Sequence, residues 1–193
     1  MNRVESDQQA VLVVTRTVVL VTWSMLFATL FLCYFVLRMN ISAWPPLERE
    51  VIPLKLPLIS SIFILLSSIF LEETARKTSS VKRIYGFWIL TLTSSLAFLV
   101  SQCSFWYLLQ VNHIFTGTSI FSSLLYTFTW IHAFHIILGV FALTVRFFRQ
   151  RREFYTAPLL TNRKKSLSVD FSILFWHFLT VIWMLMFLML FVF

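Results

Sequence analysis

The chain of 193 residues is 59% hydrophobic and 12% charged, with 22 phenylalanines and a mean hydropathy of +0.83. A globular domain is about 45–50% apolar and about 25% charged, so there is too little polar surface here to coat a soluble particle, and the chain belongs in a bilayer. The formal charge of +8 then reads as loop placement rather than as a nucleic-acid footprint.

The first apolar run, "TVVLVTWSMLFATLFLCYFVL" over 17–37, has no small-residue cleavage site near its middle and is expected as a retained span rather than a signal peptide. The second, "PLKLPLISSIFILLSSIFL", starts with Pro53 and Pro57 and is uninterrupted only from Leu58 to Leu71. Pro57 suits a first helical turn, and "EETARKTSSVKR" is expected to carry the helix past the bilayer, giving a span over 58–80. Glu72 and Glu73 then fall at membrane depth, where only protein or water can accommodate them. Spans over 84–109, 119–146 and 170–193 complete the set. The expected fold is all-α: one transmembrane domain, a polytopic bundle of five helices.

Charge asymmetry orients it. Arg3 and Arg16 precede the first span, and Arg76, Lys77, Lys82 and Arg83 lie between the second and third. Arg146, Arg149, Arg151, Arg152, Arg163, Lys164 and Lys165 lie between the fourth and fifth. These are thirteen of the sixteen Lys and Arg residues, all on one side. The positive-inside rule puts the N-terminus inside and the C-terminus outside. Arg146, Arg149, Arg151 and Arg152 are candidates for anionic lipid headgroups.

Polar residues inside the spans are few. Cys33 and Cys103 have no ligand spacing and are expected as buried free thiols. His132 and His135, at i and i+3, and His177 are intramembrane imidazoles. Asp170 and His177, two turns apart, share a helix face, with Thr180 on the adjoining flank. Ser122, Tyr126, Thr129 and His132 line one side of the fourth span. Two polar stripes must turn inward, towards each other or a partner subunit, so the imidazoles are expected as interior glue. Trp130 and Trp176, each near a histidine, are expected as packing residues, as is Trp183 of the fifth span. A His/Asp metal enzyme and a transporter are the competing classes. The first has too few ligands for a respiratory haem or copper centre, and the second lacks a Gly- or Pro-broken helix pair.

Four blocks carry a family likeness. "LFWHFLTVIWMLMFLMLF" resembles the C-terminal signature of subunit III of haem–copper respiratory oxidases, a Trp-His-Phe triplet before a Val-Val/Ile-Trp step. "IHAFHIILGVFAL" resembles that family's His-Gly-Leu-His helix, "FATLFLCYFVLRMNISAWPP" its first helix and Trp-Pro-Pro loop, and "PLISSIFILLSS" its Pro-Leu-Leu-Asn-Thr helix. The blocks are in family order, and the chain is similar to the short, five-helix bacterial members. By position, Asp170 matches a carboxylate that is usually Glu, and His132, His135 and His177 match family histidines. Thr180 stands where many members have Asp, and the third span has Gln102 but no acid.

The resemblance implies a subunit of a proton-translocating oxidoreductase that itself has no catalytic residue, metal or redox cofactor. Haem and copper are then expected in partner subunits. It further implies direct packing on subunit I, association with subunit II and the rest of the complex, bound phospholipid, support of proton uptake, and residence in the bacterial inner membrane. An accessory subunit of a quinol oxidase or nitric oxide reductase is the nearest alternative.

Overall fold

The structure is a computed structural model describing residues 3–41, 52, 54–75, 81–156 and 167–192. Among these residues the apolar runs form five long helices: α1 (Arg3–Asn40), α2 (Lys55–Ala75), α3 (Val81–Val111), α4 (Ile120–Thr156) and α5 (Leu167–Phe187). A π turn, Leu188–Val192, continues α5. Each contains an apolar stretch long enough to cross a bilayer, Ala10–Asn40, Lys55–Thr74, Lys82–Val111, Ile120–Arg152 and Phe171–Val192. The chain is a multi-pass membrane protein.

Three boundaries differ most from the sequence reading. α1 already starts at Arg3, well before the span read from 17. Pro57 does sit in the first turn of α2, but the described helix ends at Ala75, and 76–80 lie outside the described residues. The basic stretch after Arg146 is not a loop at first: α4 runs on to Thr156. "RFFRQRREF" has no Gly or Pro and is rich in good helix formers, so the backbone ladder outlasts the apolar segment. Arg149, Arg151 and Arg152 are exposed on this extension, whereas Arg146 is buried.

Cross-helix contacts give an up-and-down bundle. Arg16 lies over the Phe171 ring (5.9 Å) and the Tyr34 hydroxyl donates to the Met189 carbonyl (2.8 Å), so α1 and α5 run parallel. Ser61 meets Trp183 while Ser68 meets His177, so α2 and α5 are antiparallel. Trp88 Nε1 donates to Gln150 Oε1 (3.0 Å) and Trp106 Nε1 to Thr129 Oγ1 (3.1 Å), so α3 and α4 are antiparallel too. α5 touches α1, α2 and α4 and is the middle of the bundle. α1 buries the smallest share of its span and is the peripheral helix.

The connection between α3 and α4 shows how backbone groups are satisfied at a membrane boundary. The Ile114 N–H donates to Leu109 O (3.0 Å) and the His113 N–H to Gln110 O (3.0 Å), with His113 at φ 58°. That is a Schellman cap with histidine at the position glycine usually takes. Ile114 is buried beneath it, and its carbonyl accepts from the Tyr126 hydroxyl (3.0 Å). Ser119 and Ser122 then start α4 with a reciprocal pair: each backbone N–H donates to the other's Oγ, both at 3.0 Å. Several hydroxyls on outward faces bond carbonyls of their own helix, as Thr29 does to Met25 O (2.8 Å), which satisfies those donors without water.

Cys33 and Cys103 are free thiols but exposed on the outer surface, not buried. A thiol is apolar enough to face acyl chains, so hydrophobicity alone did not place it inside the bundle.

Candidate functional site

The polar chemistry of the bundle concentrates where α2 meets α5. α2 carries two serine pairs seven residues apart, Ser60–Ser61 and Ser67–Ser68, and α5 carries Trp176–His177 and, seven residues after Trp176, Trp183. Antiparallel packing matches them pair to pair. Trp176 Nε1 donates to Ser67 Oγ (3.1 Å), and Trp183 Nε1 donates to Ser61 Oγ (2.9 Å). The serine protons are used within α2: Ser67 Oγ donates to Ile64 O (2.8 Å) and Ser61 Oγ to Pro57 O (2.9 Å). Each serine oxygen is thereby an acceptor aimed at α5. An indole, which can only donate, is the complement it needs.

His177 makes the third rung. Its Nδ1 lies 2.6 Å from Ser68 Oγ, and its Nε2 lies 3.4 Å from Glu72 Oε2. A cleft of about 260 Å³, lined by Ser68, Ile69, Glu72, Glu73 and His177, opens beside them. The same face of α2 reaches α3 through Ser60, which accepts from Gln102 Nε2 (2.8 Å) and lies 2.7 Å from Ser101 Oγ. Gln102, on the span that lacks the family's acid, therefore joins α3 to the serine ladder.

On the other flank of α5, Gly139 of α4 lets the helices approach closely. A Cβ there would sit 3.0 Å from Cε3 and Cζ3 of the Trp176 ring and 3.2 Å from Leu179 Cδ1. Trp176 is thus pinned by a hydrogen bond on its α2 side and by backbone on its α4 side. It is 1% exposed, as is Trp183.

The α4 stripe does not turn its histidines onto His177. His135 Nδ1 lies 2.7 Å from Ile131 O in its own helix, and the ring packs on Trp23 and Phe27 of α1, at 4.6 and 5.5 Å between centroids. His132 is fully buried among Phe27, Phe98 and Trp183, at 6.2, 6.0 and 5.3 Å, and neither ring nitrogen has a hydrogen-bond partner. Tyr126 serves the α3–α4 connection. Thr180 Oγ1 donates to Trp176 O (3.1 Å) within α5. Trp130 is 50% exposed and packs on Tyr126 and Trp106 rather than on a histidine. Asp170 lies in α5, one residue before Phe171, but its side chain is outside the described residues. Among the described residues no group of three or more His, Cys, Asp or Glu side chains is placed to hold a metal ion.

The sequence reading missed the serine pairs as partners. Their signal was a Ser-Ser repeat at seven residues on one span and a Trp repeat at seven on another.

The ladder sits in the blocks that carry the family likeness, and comparison with known proteins decides the matter: the family model described as cytochrome c oxidase subunit III matches residues 8–193. This chain belongs to the cytochrome c oxidase subunit III family. It is 28% identical over 177 residues to a cytochrome c oxidase subunit 3 of Thermostichus vulcanus, covering 91% of this chain and 84% of the relative. A cytochrome c oxidase subunit 3 of a Synechocystis strain is 26% identical over 172 residues, covering 88% of this chain and 70% of the relative. A cytochrome bo(3) ubiquinol oxidase subunit 3 of Buchnera aphidicola (subspecies Schizaphis graminum) is 27% identical over 165 residues, covering 84% and 83%. As a subunit III, the chain is one subunit of a haem–copper oxidase. The Trp-His-Phe triplet of that family supplies two of the three α5 rungs in this chain.

Proposed function

We propose that this subunit III is a non-catalytic stabiliser of a proton-pumping terminal oxidase that takes electrons from cytochrome c and reduces O2 in a bacterial inner membrane. The supporting observation is what its polar side chains do: Trp176, Trp183 and His177 are engaged by serines of α2. Groups used to fix helix register are unavailable as redox ligands, and in this reading haem and copper reside in partner subunits. The N-terminus and the exposed Arg149, Arg151 and Arg152 face the cytoplasm, where they meet anionic headgroups. A rigid bundle with this basic rim packs on subunit I, associates with subunit II, retains phospholipid, and keeps the proton-uptake side of subunit I ordered. The relationship to a ubiquinol oxidase subunit 3 supports a second reading, in which the donor is a quinol.

Purification through a tag on this chain in mild detergent tests both. The expected result is co-purification of subunits I and II with haem absorption and O2 consumption driven by reduced cytochrome c. Consumption driven by quinol alone selects the second reading. Iron or copper retained stoichiometrically by the isolated chain, and lost in His132→Ala or His177→Ala, would overturn both.

A further inference from the structure

Near the end of α2, the His177 imidazole and the Glu72 carboxylate face one cleft of about 260 Å³, with Ser68, Ile69 and Glu73 completing its lining. Two features of this cleft go beyond helix register. The first is a distance. His177 Nε2 and Glu72 Oε2 are 3.4 Å apart, longer than the roughly 2.7–2.9 Å of a charge-assisted N–H···O bond. Two metal bonds of about 2.0–2.2 Å, meeting at the tetrahedral angle, hold their ligand atoms roughly 3.3–3.5 Å apart. A square-planar or octahedral centre, with adjacent ligands at a right angle, needs roughly 2.8–3.1 Å.

The second feature is orientation. Ser68 Oγ lies 2.6 Å from His177 Nδ1, and a ligating imidazole is held in this way through its other ring nitrogen. With the proton on Nδ1 donated to Ser68, Nε2 presents a lone pair to the cleft. The His177 and Glu72 side chains are 36% and 50% exposed, so an ion reaches them without crossing the core.

We propose that His177 and Glu72 bind a zinc ion that clips α5 to α2, with water from the cleft filling the remaining positions. An imidazole paired with a carboxylate suits zinc, whereas magnesium and calcium take shells of oxygen. Glu73, on the same cleft, adds negative charge that favours a dication. Among the described residues no third His, Cys, Asp or Glu completes the set, so binding is micromolar and reversible, unlike that of a four-ligand structural centre. The site goes beyond the proposed function, which uses this imidazole for helix register alone. Zinc has no redox chemistry, so the subunit remains outside the electron path.

The test is equilibrium dialysis of the full chain in mild detergent, stripped of metal by a chelator, against zinc chloride, with bound zinc read by elemental mass spectrometry. One zinc per chain with a micromolar dissociation constant is expected, and a large excess of magnesium should leave it bound. His177→Ala and Glu72→Gln should each abolish saturable binding in that range. Ser68→Ala, which frees the ring, should weaken it by about tenfold or more. His113→Ala, which removes an exposed imidazole elsewhere, should leave it unchanged. Zinc should also raise the midpoint of thermal unfolding of the wild type and not that of Glu72→Gln. Glu72 is half exposed, so its variant reads the site even where His177→Ala fails to fold. No saturable binding by the wild type, affinity unchanged in Glu72→Gln, or displacement by magnesium on equal terms overturns the proposal.

Discussion

The His177 imidazole spans a full turn of α2: Nδ1 is 2.6 Å from Ser68 Oγ, while Nε2 is 3.4 Å from the Glu72 carboxylate four residues on. One ring therefore meets α2 at two heights. With Trp176 and Trp183 bonded to Ser67 and Ser61, α5 is fixed to α2 at several levels. Intramembrane polar contacts average only about 0.6 kcal/mol each, so the ladder sets register more than it supplies stability. Sliding α5 by one residue would carry each donor away from its serine at once.

His177→Ala removes the double contact. The subunit should lose about 1 kcal/mol of thermal stability in detergent and dissociate more readily from the oxidase core. Haem absorption at full occupancy should be unchanged. Quantitative mass spectrometry of subunit ratios, alongside visible spectra, reads both; altered haem bands with the subunit fully bound would contradict a purely structural imidazole.

Gly139 is needed for closeness, not for backbone freedom. A methyl group at 3.0 Å from the Trp176 ring must push the ring or the helix away, and overpacking of this kind costs about 1–3 kcal/mol. Gly139→Ala should destabilise the bundle and Gly139→Leu more so. Trp176→Phe, which shortens the ring, should recover part of the Gly139→Ala loss in a double-mutant cycle. Additive effects of the two changes would show that α4 and α5 do not meet there.

His113 offers the opposite sign. A left-handed backbone conformation costs a residue with a Cβ about 1–2 kcal/mol, and His113 adopts it at φ 58° in the cap of α3. The imidazole lies exposed, near Phe115. His113→Gly should raise the midpoint of thermal unfolding, by an amount corresponding to about 1 kcal/mol. His113→Val, β-branched and ill-suited to positive φ, should lower it.

Much of this architecture was legible in the sequence, because span length and hydropathy are direct consequences of bilayer thickness. All five helices fall where apolar runs were read. The extension of α4 was not legible from hydropathy, which registers the end of lipid contact and not the end of hydrogen bonding. Side-chain pairing was harder. On a helix that is apolar all round, Ser67 and Ser68 look like filler, and only the antiparallel juxtaposition with Trp176 and His177 gives them a partner. His132 was read as polar glue because three- and four-residue steps align it with Ser122 and Thr129. Those two do find polar partners, in a helix cap and in Trp106, but at the level of His132 the neighbouring helices present Phe27, Phe98 and Trp183. Trp130 packs on Tyr126 and Trp106 and not on the histidine near it in sequence, because proximity along the chain says nothing about which face of the helix two residues share.

The exposed arginines of α4 give a charge-dependent expectation. If Arg149, Arg151 and Arg152 hold anionic headgroups, replacing all three by Gln removes about 1 kcal/mol of attraction per residue near the surface. Less anionic lipid should co-purify, and the difference should shrink at high salt as screening takes over. Lipid mass spectrometry at low and high ionic strength checks this. Unchanged lipid content at low salt would assign these arginines to topology alone.

His132 carries the most discriminating substitution. It is fully buried, enclosed by aromatic rings, and neither ring nitrogen is hydrogen-bonded. A buried polar group without a partner costs about 1–3 kcal/mol, and replacing it by an apolar group of the same shape can be neutral or stabilising. His132→Phe should therefore leave thermal stability equal or raise it. His132→Ala, which opens a cavity between Phe98 and Trp183, should lower stability by about 3 kcal/mol, as large-to-small core changes do. The contrast separates volume from polarity. If Phe proves as damaging as Ala while Asn or Gln restores the wild-type melting temperature, the imidazole makes a hydrogen bond in the assembled oxidase. Its partner must then come from outside this chain's aromatic enclosure.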